Sequence, residues 1–417
     1  MDITGLFKKK IHNKKNRIIE NVKLLSSKGE INKLLDYIKY KQIFFSDLKK
    51  YYDLYLLIKK IENLEFVPRE LLQEKNTDIL IISLSVWGEK YLHLFEKVFI
   101  PSFLPNSVIQ DITSNKKILL NIYVPSNDIK KIKDITTKIY GVQINIIDIG
   151  KLITSNKSFL DSSFRYCIYG SLHNADLLVA KKINADYMPI SPDNVHSHGS
   201  LKAYLECIKQ GYKVVLVSGI RVQSEEFLKE ILKLFNNETK ELVVSSSDLV
   251  ALAANNIHHE FRRYFLFKNN NRIPEIMSLR IYPEKNYFKM NSYHLHPILI
   301  SKEHLKKIKK VDYLTVDSGL IKHLNIDQEF FDKEIKVIQN SDIACMADLS
   351  TLYKDISLDK FIEKNYTMEH ELEQAKYFSA PIYRWNFSKD IIYNSEKELR
   401  YRTFDNIKNE LVSVELN

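Results

Sequence analysis

From Thr77 onward the chain carries a series of apolar runs of strand length, and this series limits the fold more than any other feature. The runs are ILIISLSV (79–86), ILLNIYV (118–124), INIIDI (144–149), ADYMPI (185–190), VVLVS (214–218) and ELVVS (241–245). They are too uniformly apolar to leave one face to water, so helices must cover both faces. Helix-like stretches separate most of them. Strand alternating with helix predicts an α/β domain over 76–325, built on a mostly parallel, doubly covered sheet.

The flanking segments read differently. Residues 1–75 place Leu, Ile and Tyr at spacings of three and four between lysines, as in FSDLKKYYDLYLLIKKIENL, and predict a basic helical segment closed by Pro68. After about 326 the pattern turns irregular and helical, which predicts a C-terminal extension (326–417) packed on the sheet. Inside the central domain, Ser200 is placed to cap LKAYLECIKQ, whose Leu201, Tyr204, Leu205 and Ile208 share one face, with Gly211 past its end. Ser245 and Asp248 have capping-box spacing ahead of LVALAANNI.

Charge and cysteine usage bound the setting. Of the formal net charge of +10, half falls in the first thirty residues, where eight Lys or Arg face three Asp or Glu. That cluster either holds the chain near anionic lipid or an anionic polymer or forms a solvated helix face. No long apolar stretch follows it and no run of about 18 apolar residues exists, so neither a secretory signal nor a spanning helix is expected. Cys167, Cys207 and Cys345 never approach a CxxC spacing and read as buried small residues of a reducing, cytoplasmic protein. No nucleic-acid recognition motif accompanies the basic residues, and nucleic acid is not an expected partner.

Open parallel sheets bind ligands beyond the carboxyl ends of their strands. The first strand is followed by SVWGEKYLHLF, which lacks the GxGxxG of a dinucleotide site; GxxxxGK[ST], GxSxG and HExxH are also absent. What remains is SPDNVHSHGS (191–200), a carboxylate-bearing turn after an internal strand. Asp193 sits at the strand end; Asp186 lies seven residues earlier, too far along an extended chain to share an ion with it. Hard oxygen ligands there suit Mg²⁺ or Mn²⁺. If Ser200 opens a helix, the N–H groups of Gly199 to Lys202 make an anion-favouring end near Asp193. His196 and His198 serve metal or phosphate, or simply belong to a polar loop. His258 and His259 end a helix-like segment, where the dipole favours protonated surface histidines. Asp312 and Asp317 bracket a short strand in VDYLTVDSG; Asp317 precedes a Ser-Gly turn and reads either as a general base or as an Asx turn.

Seven stretches together resemble bacterial GT-A-like glycosyltransferases of surface-polysaccharide or glycoconjugate assembly. They are SVWGEKY with FIPSFLP, LLNIYVPSND, ADYMPISPDNVHSHGSLKAYLE with VVLVSGIRV, and YHLHPILI with VDSG, covering somewhat over half the chain. The resemblance implies a nucleotide-sugar donor, a glycan or lipid-linked acceptor, and Mn²⁺ or Mg²⁺ as cofactor. It places the nucleotide against Trp87, Gly88, Glu89 and Tyr91 and the donor phosphates near Arg165, Gly199 and Ser200. It puts a metal on Asp193, completed by a late histidine, His296 or His294, and leaves Asp317 as the base toward the acceptor. Trp87 could equally cap the core, and Arg165 could be a surface residue. Many GT-A enzymes have Asp-x-Asp where this chain has Ser191-Pro192-Asp193. That single carboxylate supports an alternative, a non-catalytic nucleotide-binding or scaffold protein of a surface-glycan pathway. In the transferase reading the basic N-terminus holds the enzyme peripherally at the inner membrane face.

Overall fold

A computed structural model describes residues 78–150, 164–258, 279–292, 295–308, 326–350 and 389–401, and the single positions 57, 61 and 324. The expected helical segment over 1–75 lies almost wholly outside the described residues. The central sheet holds seven strands, β1 (Ile79–Ser85), β2 (Lys117–Val124), β3 (Val142–Asp148), β4 (Asp186–Pro189), β6 (Val214–Leu216), β12 (Ile298–Ile300) and β13 (Ile335–Val337), in the order β13-β6-β12-β4-β1-β2-β3. Every neighbouring pair is parallel except those of β12, which runs antiparallel to β4 and to β6. The protein is therefore α/β with a mostly parallel sheet, and every residue of β1 is buried.

Helices occupy both faces. On one, α1 (Glu89–Leu94) continues through a π-helical turn (Phe95–Phe99) and a further turn (Ile100–Phe103); α2 (Asn106–Thr113), α3 (Ile129–Thr136) and α5 (Ser200–Lys209) join it over Leu80, Ile82, Leu84, Leu120 and Ile122. On the other, α4 (Phe164–Ile183) packs Leu177 and Ala180 toward Ile79, Ile81 and Leu119. Alternation along each strand assigns successive residues to opposite faces, which is why both cores are needed.

Smaller sheets lie around this one. β5 (Asn194–His196), β14 (Met346–Ser350) and β7 (Ile220–Gln223) form one, and β10 (Leu279–Pro283), β11 (Tyr287–Ser292) and β15 (Ile391–Asn394) another. β8 (Phe235–Asn236) and β9 (Glu241–Leu242) make a separate hairpin. Helices α6 (Ser224–Ile231), α7 (Ser246–Asn255), α8 (Lys302–Leu305) and α9 (Gln328–Glu334) complete the described elements. Among the described residues no helix is long and apolar enough to cross a membrane.

Three local expectations change. ELVVS is no strand of the main sheet: only Glu241 and Leu242 are extended, and Val243 is half exposed. Ser200 lies inside its helix; the cap position is Gly199, in the left-handed region at φ 82°. Beyond 326 the described residues supply strands as well as one helix, and β13 pairs with β6 inside the central sheet. Short strands of three to five residues carry too few positions for their period to stand out, so this part read as irregular. The Ser245 cap is as expected, its hydroxyl accepting the Asp248 N–H at 3.0 Å. Cys207 and Cys345 are free and buried, and burial pushes both thiols up, as suits inert core residues.

Candidate functional site

The carboxyl ends of the parallel strands gather four segments that are distant in sequence. β1 leads through Val86 into Trp87 and Gly88. Gly88 is exposed, with φ 86°, and caps α1; a Cβ there would meet nothing within 4 Å, so backbone conformation alone demands glycine. Glu89 and Lys90 are exposed in the first turn, with Tyr91 half-buried behind them. Trp87 stands edge-on to Tyr169 of α4 at 6.0 Å, and the Tyr169 hydroxyl donates to the Ile190 carbonyl at 3.2 Å. One aromatic side chain thus links the β1 turn to the backbone just before the Ser191–Asp193 turn. Arg165 belongs to the first turn of α4, one turn before Tyr169; its side chain lies outside the described residues.

Asp193 receives the Ser191 hydroxyl on its carboxylate, and its carbonyl accepts the Leu349 N–H at 3.0 Å. Across this contact sits Asp348, whose position in β14 faces Asn194 on one side and Arg221 on the other. Burial pushes the Asp193 carboxyl up to about 7, and the neighbouring Asp348 charge adds to the rise; Ser191 and Lys90 oppose it. The site is therefore a pair of carboxylates from separate segments with Lys90 and Arg221 near. The Arg221 Nε donates to the Ser350 hydroxyl at 2.8 Å.

This pair fits a hard divalent cation better than one aspartate does: an ion between the two carboxylates would relieve their repulsion and leave positions for phosphate oxygens. Among the described residues no group of three or more His, Cys, Asp and Glu side chains is assembled for a metal, so substrate or water would have to complete the shell. His296 is half-buried and precedes β12; the antiparallel register, Ile300 opposite Tyr187, brings it to the edge where β4 runs into Ser191. It lies close enough to act electrostatically on His196. His294, Asp312 and Asp317 lie outside the described residues.

The histidines of SPDNVHSHGS separate. His196 is fully buried against Phe103 at 4.4 Å and near Phe99 and Tyr204, and burial holds it neutral, down to about 3. It is a core residue. His198 is exposed, with its N–H on the Val244 carbonyl at 2.8 Å. Ser200 does not present its hydroxyl to a ligand: it donates to the Ser197 carbonyl at 2.8 Å and is buried. Its N–H is bonded to the same carbonyl, so the anion-favouring end is narrower than Gly199–Lys202. His258 is not a surface residue either; it is buried, its N–H held by the Arg221 carbonyl at 2.9 Å.

Sequence reading missed Asp348, Lys90, Arg221 and Tyr169. Asp348 had one signal, the apolar run Cys345-Met346-Ala347 interrupted by a single Asp before Leu349.

No family model matches this chain, and no curated protein sequence matches it. Among solved structures, S. aureus TarS 1-349 in complex with UDP-GlcNAc is similar over 73% of this chain and 74% of that one, at 12% identity and a TM-score of 0.34. The apo form of mouse xyloside xylosyltransferase 1 is similar over 37% of this chain and 57% of its own, at 8% identity and 0.22. A putative glucose-1-phosphate thymidylyltransferase from Bacillus anthracis covers 62% of this chain and 85% of its own, at 11% identity and 0.25.

Proposed function

We propose that the chain is a GT-A-like glycosyltransferase that moves a sugar from a nucleotide-sugar donor to a surface-glycan or lipid-linked acceptor. The observation that carries this reading is the meeting of Asp193 and Asp348 at the carboxyl ends of the parallel strands, beside Lys90. Such an edge is where open sheets take ligands. Asp193 and Asp348 would hold Mn²⁺ or Mg²⁺, which when bound offsets charge on a leaving nucleotide diphosphate. Trp87, Gly88, Glu89 and Tyr91 are assigned to the nucleotide, with Gly88 letting it approach the backbone. Lys90, Arg165 and the Gly199 helix start are assigned to the phosphates, Ser200 supporting that start from within. His296 or His294 is assigned to the open side of the metal, and Asp317 to the acceptor proton.

The proposed catalytic unit runs past residue 326, because Asp348 belongs to it. The basic residues 1–30 are proposed to hold the enzyme at anionic lipid; unchanged liposome binding after their deletion would remove that part.

A thermal-shift screen with nucleoside diphosphates and CMP, with and without Mn²⁺, tests the reading. A nucleotide should raise the melting temperature more with Mn²⁺ than without, and Asp193→Asn should abolish the metal-dependent part. No response to any nucleotide would sink it. Nucleotide binding without sugar release from any matching nucleotide sugar would favour the non-catalytic scaffold.

A further inference from the structure

A second concavity lies on the α1–α3 face of the sheet. Its floor is apolar, formed by Ile100 and Pro101 at the end of the α1 run and by Leu104, roughly 20 Å along that run from Gly88. The volume is about 590 Å³. One wall is Tyr140, in the turn before β3; the other is the β8–β9 hairpin, with Phe235. A hairpin of two residues per strand has little stability of its own, so its position depends on what fastens it.

Both walls are fastened to one residue. The Asn106 N–H donates to Glu241 Oε1 of the hairpin at 2.7 Å, and the Asn106 side-chain oxygen accepts the Tyr140 N–H at 3.4 Å. Gly141, with φ 76°, sits so close to Thr113 and Ile109 that a Cβ would lie 3.1 and 3.3 Å from them, which fixes the turn presenting Tyr140. Tyr140 nevertheless leaves 67% of its surface to solvent, the most of any large apolar side chain described. A held backbone carrying an exposed ring is a preorganised platform.

The charges of the lining select among ligands. Four lysines and four acidic residues line the cleft, so its walls carry no net charge. A phosphate or other polyanion would meet as much repulsion as attraction, and so would a polycation. Fully apolar ligands would strip water from the charged rim. A neutral polyhydroxylated chain suits both halves: its C–H faces lie on Tyr140, Phe235 and the apolar floor, and its hydroxyls exchange hydrogen bonds with the mixed rim. We propose that this cleft binds a neutral oligosaccharide, at a site separate from the Asp193–Asp348 edge. The proposal rests on the rings, their anchoring and the charge balance, and holds whether or not the chain transfers sugar.

Binding to the full chain is to be measured by ligand-observed saturation-transfer NMR and titration. The probes are cellohexaose, chitohexaose and mannohexaose, with a heparin-derived hexasaccharide as the anionic control. At least one neutral probe should bind saturably and outcompete the anionic control. Tyr140→Ala should weaken it by about tenfold or more while leaving the melting temperature near wild type, since the side chain is mostly exposed. Tyr140→Trp should retain binding, and Asp193→Asn should leave it unchanged, which separates this site from the nucleotide edge. The proposal is overturned if no neutral probe saturates the wild type, if the anionic probe binds more tightly, or if Tyr140→Ala binds as wild type does. It is equally overturned if that variant turns a dimer into a monomer, which would make the cleft a self-association surface.

Discussion

Asp176 of α4 has no solvent exposure, yet it is an acid. Asn121 donates to one of its oxygens at 2.7 Å, and the Ser83 and Tyr123 hydroxyls face the same carboxyl. Burial outweighs these contacts and pushes it up to about 6. The native state therefore keeps this proton after the unfolded chain has released it near 3.8, so the stability it contributes is full below about 4 and is lost as pH rises through 6. The loss is on the order of 3 kcal/mol between those limits. Asp176→Asn keeps the acceptor and carries no charge. Urea unfolding at pH 5 and pH 8 should give the variant a gain over wild type that is larger at pH 8; parallel stabilities would refute the assignment. Asp193, up to about 7, runs in the same direction, but its rise comes partly from Asp348. Aspartates of this kind are legible in sequence only as polar letters in a buried helix.

At the scale of elements, the two turns that serve the proposed site share one device. Gly88 and Gly199 both cap a helix from the positive-φ side, at 86° and 82°. Each has open space where a Cβ would go, so substitution strains the backbone without a clash. Gly199→Ala should cost about 1–2 kcal/mol, read as a lower urea midpoint at unchanged slope. A cost near zero would mean that the turn relaxes out of the left-handed region. Helix α5 was readable because Leu201, Tyr204 and Leu205 recur at helical spacing and are indeed buried, with Gly211 at φ 101° past the end. Its start was less readable, because Ser and Gly are both good caps and only φ separates them. The hairpin β8–β9 was misread for a similar reason. Leu242 and Val244 are buried and look like a strand, but Val243 between them is exposed and no main-sheet partner is beside it.

For the whole molecule, one charged cluster joins the opposite edge of the sheet. Lys116, ahead of β2, reaches Asp78 at 2.6 Å and Asp186 of β4 at 2.7 Å, while Lys302 of α8 reaches Asp78 at 2.8 Å and gives its N–H to Asp186 at 2.7 Å. Asp186 is buried, so removing Lys116 takes away the ammonium bonded to its carboxylate and leaves, among the described residues, the Lys302 N–H as its hydrogen-bond donor. Lys116→Met should destabilise by about 3–5 kcal/mol in chemical denaturation, and adding Asp186→Leu should recover a large part of it. An additive double mutant would show that the pair is not coupled. The cluster spans about 220 residues of chain, from Asp78 to Lys302, so no local pattern announces it.

The alternation of apolar strands and amphipathic helices was enough, by itself, to determine an α/β sheet covered on both faces, because burial of both faces leaves no other use for such strands. It also placed Asp193 just past a strand and the start of a helix at Gly199-Ser200, with Ser200 rather than Gly199 read as the cap. Only tertiary structure decided that Asp193 has Asp348 for a neighbour, that His196 belongs to the core, and that β13 closes the sheet edge beside β6. Those outcomes depend on which segments meet after about ninety residues or more. A carboxylate's charge state, or a histidine's role, is set by the atoms around it rather than by its sequence neighbours.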